Sequence, residues 1–283
     1  LALIASDAYR TILTKDEEFQ EPFQALNGQY TTYDGRQDWL NSKGYSVIEG
    51  TDHTNAHTRY WGVVKEAGDT LVVMFRGTHF SFSGVTDIAI DVSDSVLTIA
   101  GMLSPVGTSY QAISWTLHAG EAYVHAGFYS TYVSVQQSLR SLVQSKFAAN
   151  SNLKNLWIGG HSLGGGLAHI AAVDFGQDPV SYSGNNSGTT PRPSVYTFAA
   201  PLTGDSTFAS TYASSVVDSH NFALTYDLVP VIPPLGTGAN LETPASFVTV
   251  EGHIMLDSPH LVSKRPRPSE LLRHDRERQP GSG

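Results

Sequence analysis

The sequence predicts an α/β fold in which a mainly parallel sheet carries helices on both faces. Three observations point there. The short apolar runs TLVVMF (70–75), NLWIGG (155–160) and SVYTFAA (194–200) read as strands. Segments of helical period at 128–148 and 163–174 alternate with strands in the second half, the pattern of βαβ units. A length of 283 residues, with 40% hydrophobic and only 15% charged, suits one large core and argues against a disordered chain.

Taken in order, residues 1–13 have helical apolar spacing, and a polar stretch follows to about Asn41. YSVIEG (45–50), RYWGVVKE (59–66) and TLVVMF (70–75) are strands, separated by turn signals at Thr51–Asn55 and Gly68-Asp69. Residues 79–118 are mixed, apolar and rich in Ser and Gly. In 128–148, Tyr129, Tyr132, Val133, Leu139, Leu142, Val143 and Phe147 fall near one helical face. After the strand NLWIGG comes the helix 163–174, then strands at 194–200 and 220–224. Weaker strand signals lie at 247–250 and 253–256. No internal repeat and no linker precede residue 263, so 1–262 reads as one domain.

Composition narrows the function. A net charge of −9 disfavours non-specific nucleic-acid binding. The body is more acidic than the total suggests, because residues 263–283 hold six basic and three acidic residues. That tail reads as a disordered or artificially appended segment. With no cysteine, disulfides, thiolate nucleophiles and Cys-ligated zinc are excluded. No apolar run reaches the length of a membrane span, so no transmembrane segment is expected. The chain starts at Leu1 without a visible signal peptide, and a secreted protein whose leader has been removed is the expectation.

The strongest chemical signal is Gly160-His161-Ser162-Leu163-Gly164, followed by Gly165 and Gly166, between a strand and a helix. This is the nucleophile-elbow pattern, in which a sharp turn lifts a serine hydroxyl out of the sheet. Glycines at 160 and 164 allow a close approach that a β-carbon would block. A phosphate-cradling loop is excluded, since no Gly-Lys-Ser/Thr follows.

A serine alcohol needs a base, and the base needs an orienting carboxylate. In elbow architectures the chain order is Ser, acid, His. The candidate acids after the elbow include Asp174, Asp178, Asp205, Asp218 and Asp227. Asp227 is best placed, just past the strand HNFAL (220–224) in a turn before Pro230. Only His253, His260 and His274 follow it. His253 lies in an alternating stretch that reads as strand, and His274 among charges in the tail. His260, after Asp257-Ser258-Pro259, sits in a loop where an exposed base belongs.

GHSLGG, with Phe75-Arg76-Gly77-Thr78, Val124-His125-Ala126-Gly127-Phe128, Tyr196 to Pro201 and Asp227-Leu228-Val229-Pro230, resembles the class 3 (fungal-type) triacylglycerol lipase family over roughly 1–262. The absence of cysteine resembles its bacterial members. The resemblance implies an α/β-hydrolase fold with Ser162 as nucleophile and Asp227 as triad acid. It places Thr78 and the N–H of Leu163 in the oxyanion hole. His125 and His161 match the motifs without acting as the base. Two departures stand out. The strand at 194–200 ends Ala-Ala-Pro where the family commonly has Gly before Pro, and His260 follows Asp227 by only 33 residues.

The family also places its lid after the oxyanion residue. Here residues 79–103 carry Phe80, Phe82, Val85, Ile88, Ile90, Val92, Val96, Leu97 and Ile99, interrupted by Asp87, Asp91 and Asp94. The implied function is hydrolysis of carboxylic esters, with acylglycerols or other esters as substrate and a transient lipid–water interface as a partner. No metal or other cofactor is called for. A phospholipase A1 or feruloyl-type esterase on the same scaffold is the alternative within enzymes. A lipid-binding protein that has lost catalysis is the rival from another class.

Overall fold

The computed structural model describes residues 1–8, 33–51, 58–77, 110–114, 121–183, 187–225, 227, 229–231 and 248–256. Among these a seven-stranded sheet runs in the order β1-β2-β3-β6-β9-β10-β11. Its strands are β1 (Tyr45–Thr51), β2 (Thr58–Ala67), β3 (Thr70–Phe75), β6 (Asn155–His161), β9 (Ser194–Phe198), β10 (Asp218–Leu224) and β11 (His253–Leu256). The β1–β2 and β2–β3 pairs are antiparallel, and every pair from β3 to β11 is parallel. Two small antiparallel pairs stand apart: β4 (Tyr110–Ser114) with β5 (Glu121–His125), and β7 (Ser181–Tyr182) with β8 (Gly188–Thr189).

Helices α1 (Ala2–Ala8), α2 (Tyr33–Ser42), α3 (Ala126–Ala149), α4 (Leu163–Gln177) and α5 (Ser206–Ser215) flank the sheet. The apolar runs seen in the sequence follow from burial on both sides. In β3, Leu71, Val73 and Phe75 face the larger core with α3 and α4, while Val72 and Met74 join Ala5, Ala8 and Leu40 in a smaller one. Alternation is therefore masked, since both sets of side chains are apolar.

Several expectations need adjustment. The polar stretch before Asn41 contains α2, whose Leu40 is buried. The buried face of α3 uses Val135, whereas Val133 is 43% exposed. Helix α4 runs three residues beyond the expected end. Strand β9 stops at Phe198 because Ala199 takes a positive φ of 51°. Of the expected strand at 247–250, residues 248–250 are described and form no strand; Val248 makes an isolated bridge to Gly204. Helix α5 was not anticipated, because half of its buried face is Thr211 and Ser215 rather than apolar residues. The proposed lid at 79–103 and the tail at 263–283 lie outside the described residues.

Candidate active site

All parallel strands point their carboxyl ends to one edge of the sheet, and Ser162 and Asp227 both lie there. Phe75 pairs with Gly160, His161 with Phe198, Phe198 with Phe222, and Leu224 with Leu256. Ser162 follows β6 directly, and Asp227 follows β10 by three residues. This is the crevice side where ligands bind in open α/β sheets.

Ser162 stands at φ 54°, ψ −126°, a conformation that disfavours any residue with a β-carbon. What holds it there is packing. Its N–H donates to the Phe198 carbonyl at 2.9 Å, and its carbonyl accepts from Gly165 N–H at 2.8 Å. A β-carbon on Gly160 would lie 2.1 Å from the Gly164 carbonyl oxygen; one on Gly164 would lie 2.4 Å from that of Arg76. Strand, turn and helix thus close on each other at glycine distance. Although Ser162 is the N-cap of α4, its hydroxyl makes no capping bond. The Leu163 N–H lies in the first turn of α4, where helix N–H groups lack intrahelical acceptors and the dipole favours negative charge.

At the end of β3, Arg76 is buried with its guanidinium 4.7 Å over the Trp61 ring. Its Nε donates to the Tyr60 carbonyl at 2.8 Å and its Nη1 to the Gly77 carbonyl at 2.9 Å. The backbone immediately before Thr78 is therefore fixed; Thr78 itself lies outside the described residues. The sequence named Arg76 only as part of a motif, and its anchoring role emerges from these bonds.

The rival acids have other employment. Asp174 is buried, accepting from Tyr132 at 2.6 Å and Gln136 at 3.0 Å, with Arg140 at 3.1 Å. Asp178 pairs with Arg140 at 2.7 Å. Asp205 caps α5 by accepting from Phe208 N–H at 2.8 Å. Asp218 opens β10 at the opposite edge, 2.8 Å from His220. Asp227 lies three residues past the carboxyl end of β10 and is half-buried. Its Oδ1 accepts from Val229 N–H at 2.9 Å, which orients the carboxylate. The turn-forming role of Asp227 is thus present in the structure.

Strand β9 separates β6 from β10, so Ser162 and Asp227 follow strands about 10 Å apart. An imidazole hydrogen-bonded through both nitrogens spans roughly 7–8 Å and fits between such groups. His253 is exposed and level with Asn221, Thr197 and Gly160 in register. That places it about 14 Å across the sheet from Gly160, too far to bridge. His260 and His274 lie outside the described residues. Strand β11 ends four residues before His260, a connection that can span at most about 14 Å.

The remaining histidines have other surroundings. His125 is the N-cap of α3, and its Nδ1 accepts from Gly127 N–H at 3.1 Å. Burial lowers its pKa to about 4, so it is neutral and structural, as its place at a helix start implied. Burial also lowers the pKa of His161, while the nearby Asp227 charge acts against that shift. The sequence did not place His161 within the field of Asp227; only the β6–β9–β10 order brings them together. Among the described residues no group of three or more His, Asp or Glu side chains could hold a metal ion.

A family model described as Lipase (class 3) matches residues 72–237, a span that includes Ser162 and Asp227. A lipase of Rhizopus niveus is 30% identical over 169 residues, covering 60% of this chain and 36% of that protein. A secreted mono- and diacylglycerol lipase A of Penicillium cyclopium is 27% identical over 186 residues, covering 60% of this chain and 55% of the other. The chain thus spans about a third of the length of the Rhizopus lipase it matches. A crystal structure of a mutant form of MDLA from Penicillium cyclopium superposes with a TM-score of 0.52 at 20% identity, covering 90% of this chain and 78% of that one. The fold is accordingly that of the α/β hydrolases. With the match extending over more than half of the chain and the strained serine elbow near its centre, this chain belongs to the class 3 lipase family.

Proposed function

We propose that the chain is a serine carboxylic ester hydrolase that acts on acylglycerols at lipid–water interfaces. The observation that carries the reading is Ser162, held at positive φ on the carboxyl edge of β6, with the oriented carboxylate of Asp227 two strands away on the same edge. Ser162 Oγ attacks the ester carbonyl while His260 takes its proton. Asp227 holds the imidazole tautomer and stabilises the imidazolium. The N–H groups of Thr78 and Leu163 bind the oxyanion, a contribution of several kcal/mol, about 3 per donor in comparable sites. The imidazolium then protonates the leaving alkoxide, and water cleaves the acyl-enzyme by the reverse proton transfers.

The acylglycerol assignment draws on the names of the relatives, one of them a secreted mono- and diacylglycerol lipase. The same name supports secretion, and among the described residues no helix is long and apolar enough to cross a membrane. Residues 79–103, read from sequence as the lid, would cover an apolar acyl groove in water and open at an interface. Phospholipase A1 or feruloyl-type esterase activity is separated from this reading by a substrate panel.

A fluorophosphonate should label Ser162 alone, and Ser162→Ala should lose hydrolysis of p-nitrophenyl esters by on the order of 10⁶ in kcat. His260→Ala should fall by several orders of magnitude while His253→Ala stays near the parent. Labelling at another residue would remove the elbow from the mechanism. A dead His253→Ala beside an active His260→Ala would reassign the base.

A further inference from the structure

Seven residues beyond Ser162, α4 buries a histidine that no step above uses. His169 Nε2 is 2.9 Å from Asn221 Oδ1, and its Nδ1 is 2.8 Å from Thr203 Oγ1. The orientation of Asn221 is fixed by its amide nitrogen, which donates to the Glu251 carbonyl at 2.6 Å and to Ser219 Oγ at 2.9 Å. Its Oδ1 is therefore an acceptor, already receiving the Thr197 hydroxyl at 2.5 Å. Of the two neutral tautomers of His169, the Nε2–H form is the one that donates to Asn221, leaving Nδ1 against the Thr203 hydroxyl, which also lies 3.3 Å from the Pro201 carbonyl.

The bonds join the elements that must agree for a triad to form. His169 belongs to the helix that starts at Ser162. Asn221 lies in β10, six residues before Asp227, and is buried. Glu251 is two residues before β11, the strand that leads toward His260. Beside this network is a cavity of about 20 Å³, lined by His169, Thr203, Asn221, Val248, Pro230 and His253. It has room for about one water.

We propose that His169 is a positioning residue: its neutral imidazole locks the nucleophile helix to the acid-bearing strand through Asn221, and Asn221 passes that constraint to β11. The proposal rests on the hydrolase reading above. Losing the lock lets Asp227 and the base shift relative to Ser162, which slows the chemical step and leaves substrate binding intact.

The test compares His169→Leu and His169→Gln on a soluble p-nitrophenyl ester. Rates are divided by the amount of Ser162 that a fluorophosphonate labels at completion. The Leu variant should label fully, lose about tenfold or more in kcat and keep KM within about twofold. The Gln variant, whose amide N–H can donate to Asn221 as the ring does, should recover most of the loss. Parent-like kcat per labelled site in His169→Leu overturns the proposal whatever its Tm, since a merely structural residue alters only the folded fraction. Should that variant fail to fold, Asn221→Ser decides by the same criterion: reduced kcat at unchanged KM supports the lock, and parent-like kcat overturns it. Failure of Ser162 to label in the parent protein is a separate result; it overturns the nucleophile assignment and removes the basis of the lock.

Discussion

The two halves of the candidate site are built differently. On the nucleophile side, Leu163 to Phe175 are buried, and the turn between β6 and α4 is so tight that β-carbons at 160 or 164 would strike backbone. On the acid side, β10 and β11 form the margin of the sheet, and Leu224, Met255 and Leu256 are 47%, 51% and 44% exposed. The serine is placed by sterics centred on the five consecutive residues Gly160 to Gly164, packed against the backbone of Arg76 and Phe198. The acid is placed by an Asx-type turn and by polar bonds between elements distant in sequence. Local steric placement leaves a motif in the sequence, whereas placement by long-range bonds leaves almost none.

The contrast is broken most severely at the elbow. Gly160→Ala would force a β-carbon into the Gly164 carbonyl and should cost about 4 kcal/mol or more, or prevent folding altogether. Urea unfolding of the purified variant measures this, and a loss below about 1 kcal/mol would show that the elbow relaxes easily.

Acid should act through two buried imidazoles, one at the start of α3 and one within α4. The pKa values of His125 and His169 are lowered from 6.5 to about 4, in both cases chiefly by burial. The unfolded chain therefore binds more protons between those values. Stability is full above about pH 7 and falls as pH drops from 6.5 toward 4, by about 3 kcal/mol for each group. His125→Asn keeps a helix cap without a titrating ring and should flatten the slope by that amount. An unchanged slope in denaturation curves from pH 7 to 4 would refute the assignment.

A smaller effect separates two variants that lack the Ser162 hydroxyl. Ser162→Gly relieves the positive φ while Ser162→Ala retains it, so the Gly form should be more stable by about 1–2 kcal/mol. Equal Tm values would mean the turn is unstrained. The least effect belongs to the open margin: Met255→Ser or Leu256→Ser should shift stability by no more than about 0.5 kcal/mol, since each side chain is about half exposed. A larger loss would show that the margin is covered in solution.

By itself the sequence determined the fold class, the strands 45–51, 58–67, 70–75 and 155–161 to within a residue or so, the helix start at Leu163 and the serine at its head. Each is a local property: apolar runs too short for helices, or glycines required by contact across a single turn. The preference for Asp227 over its rivals rests on its position after a strand, and the structure engages Asp174, Asp178, Asp205 and Asp218 in bonds elsewhere. Only tertiary structure decided that Val135 rather than Val133 faces the core, that α5 exists, that Arg76 anchors the end of β3, and that His169 meets Asn221 across 52 positions. These depend on partners brought together by chain crossovers, and a buried His, Asn or Thr carries no periodic signal. Burial of a polar group becomes intelligible only when its hydrogen-bond partner is in place.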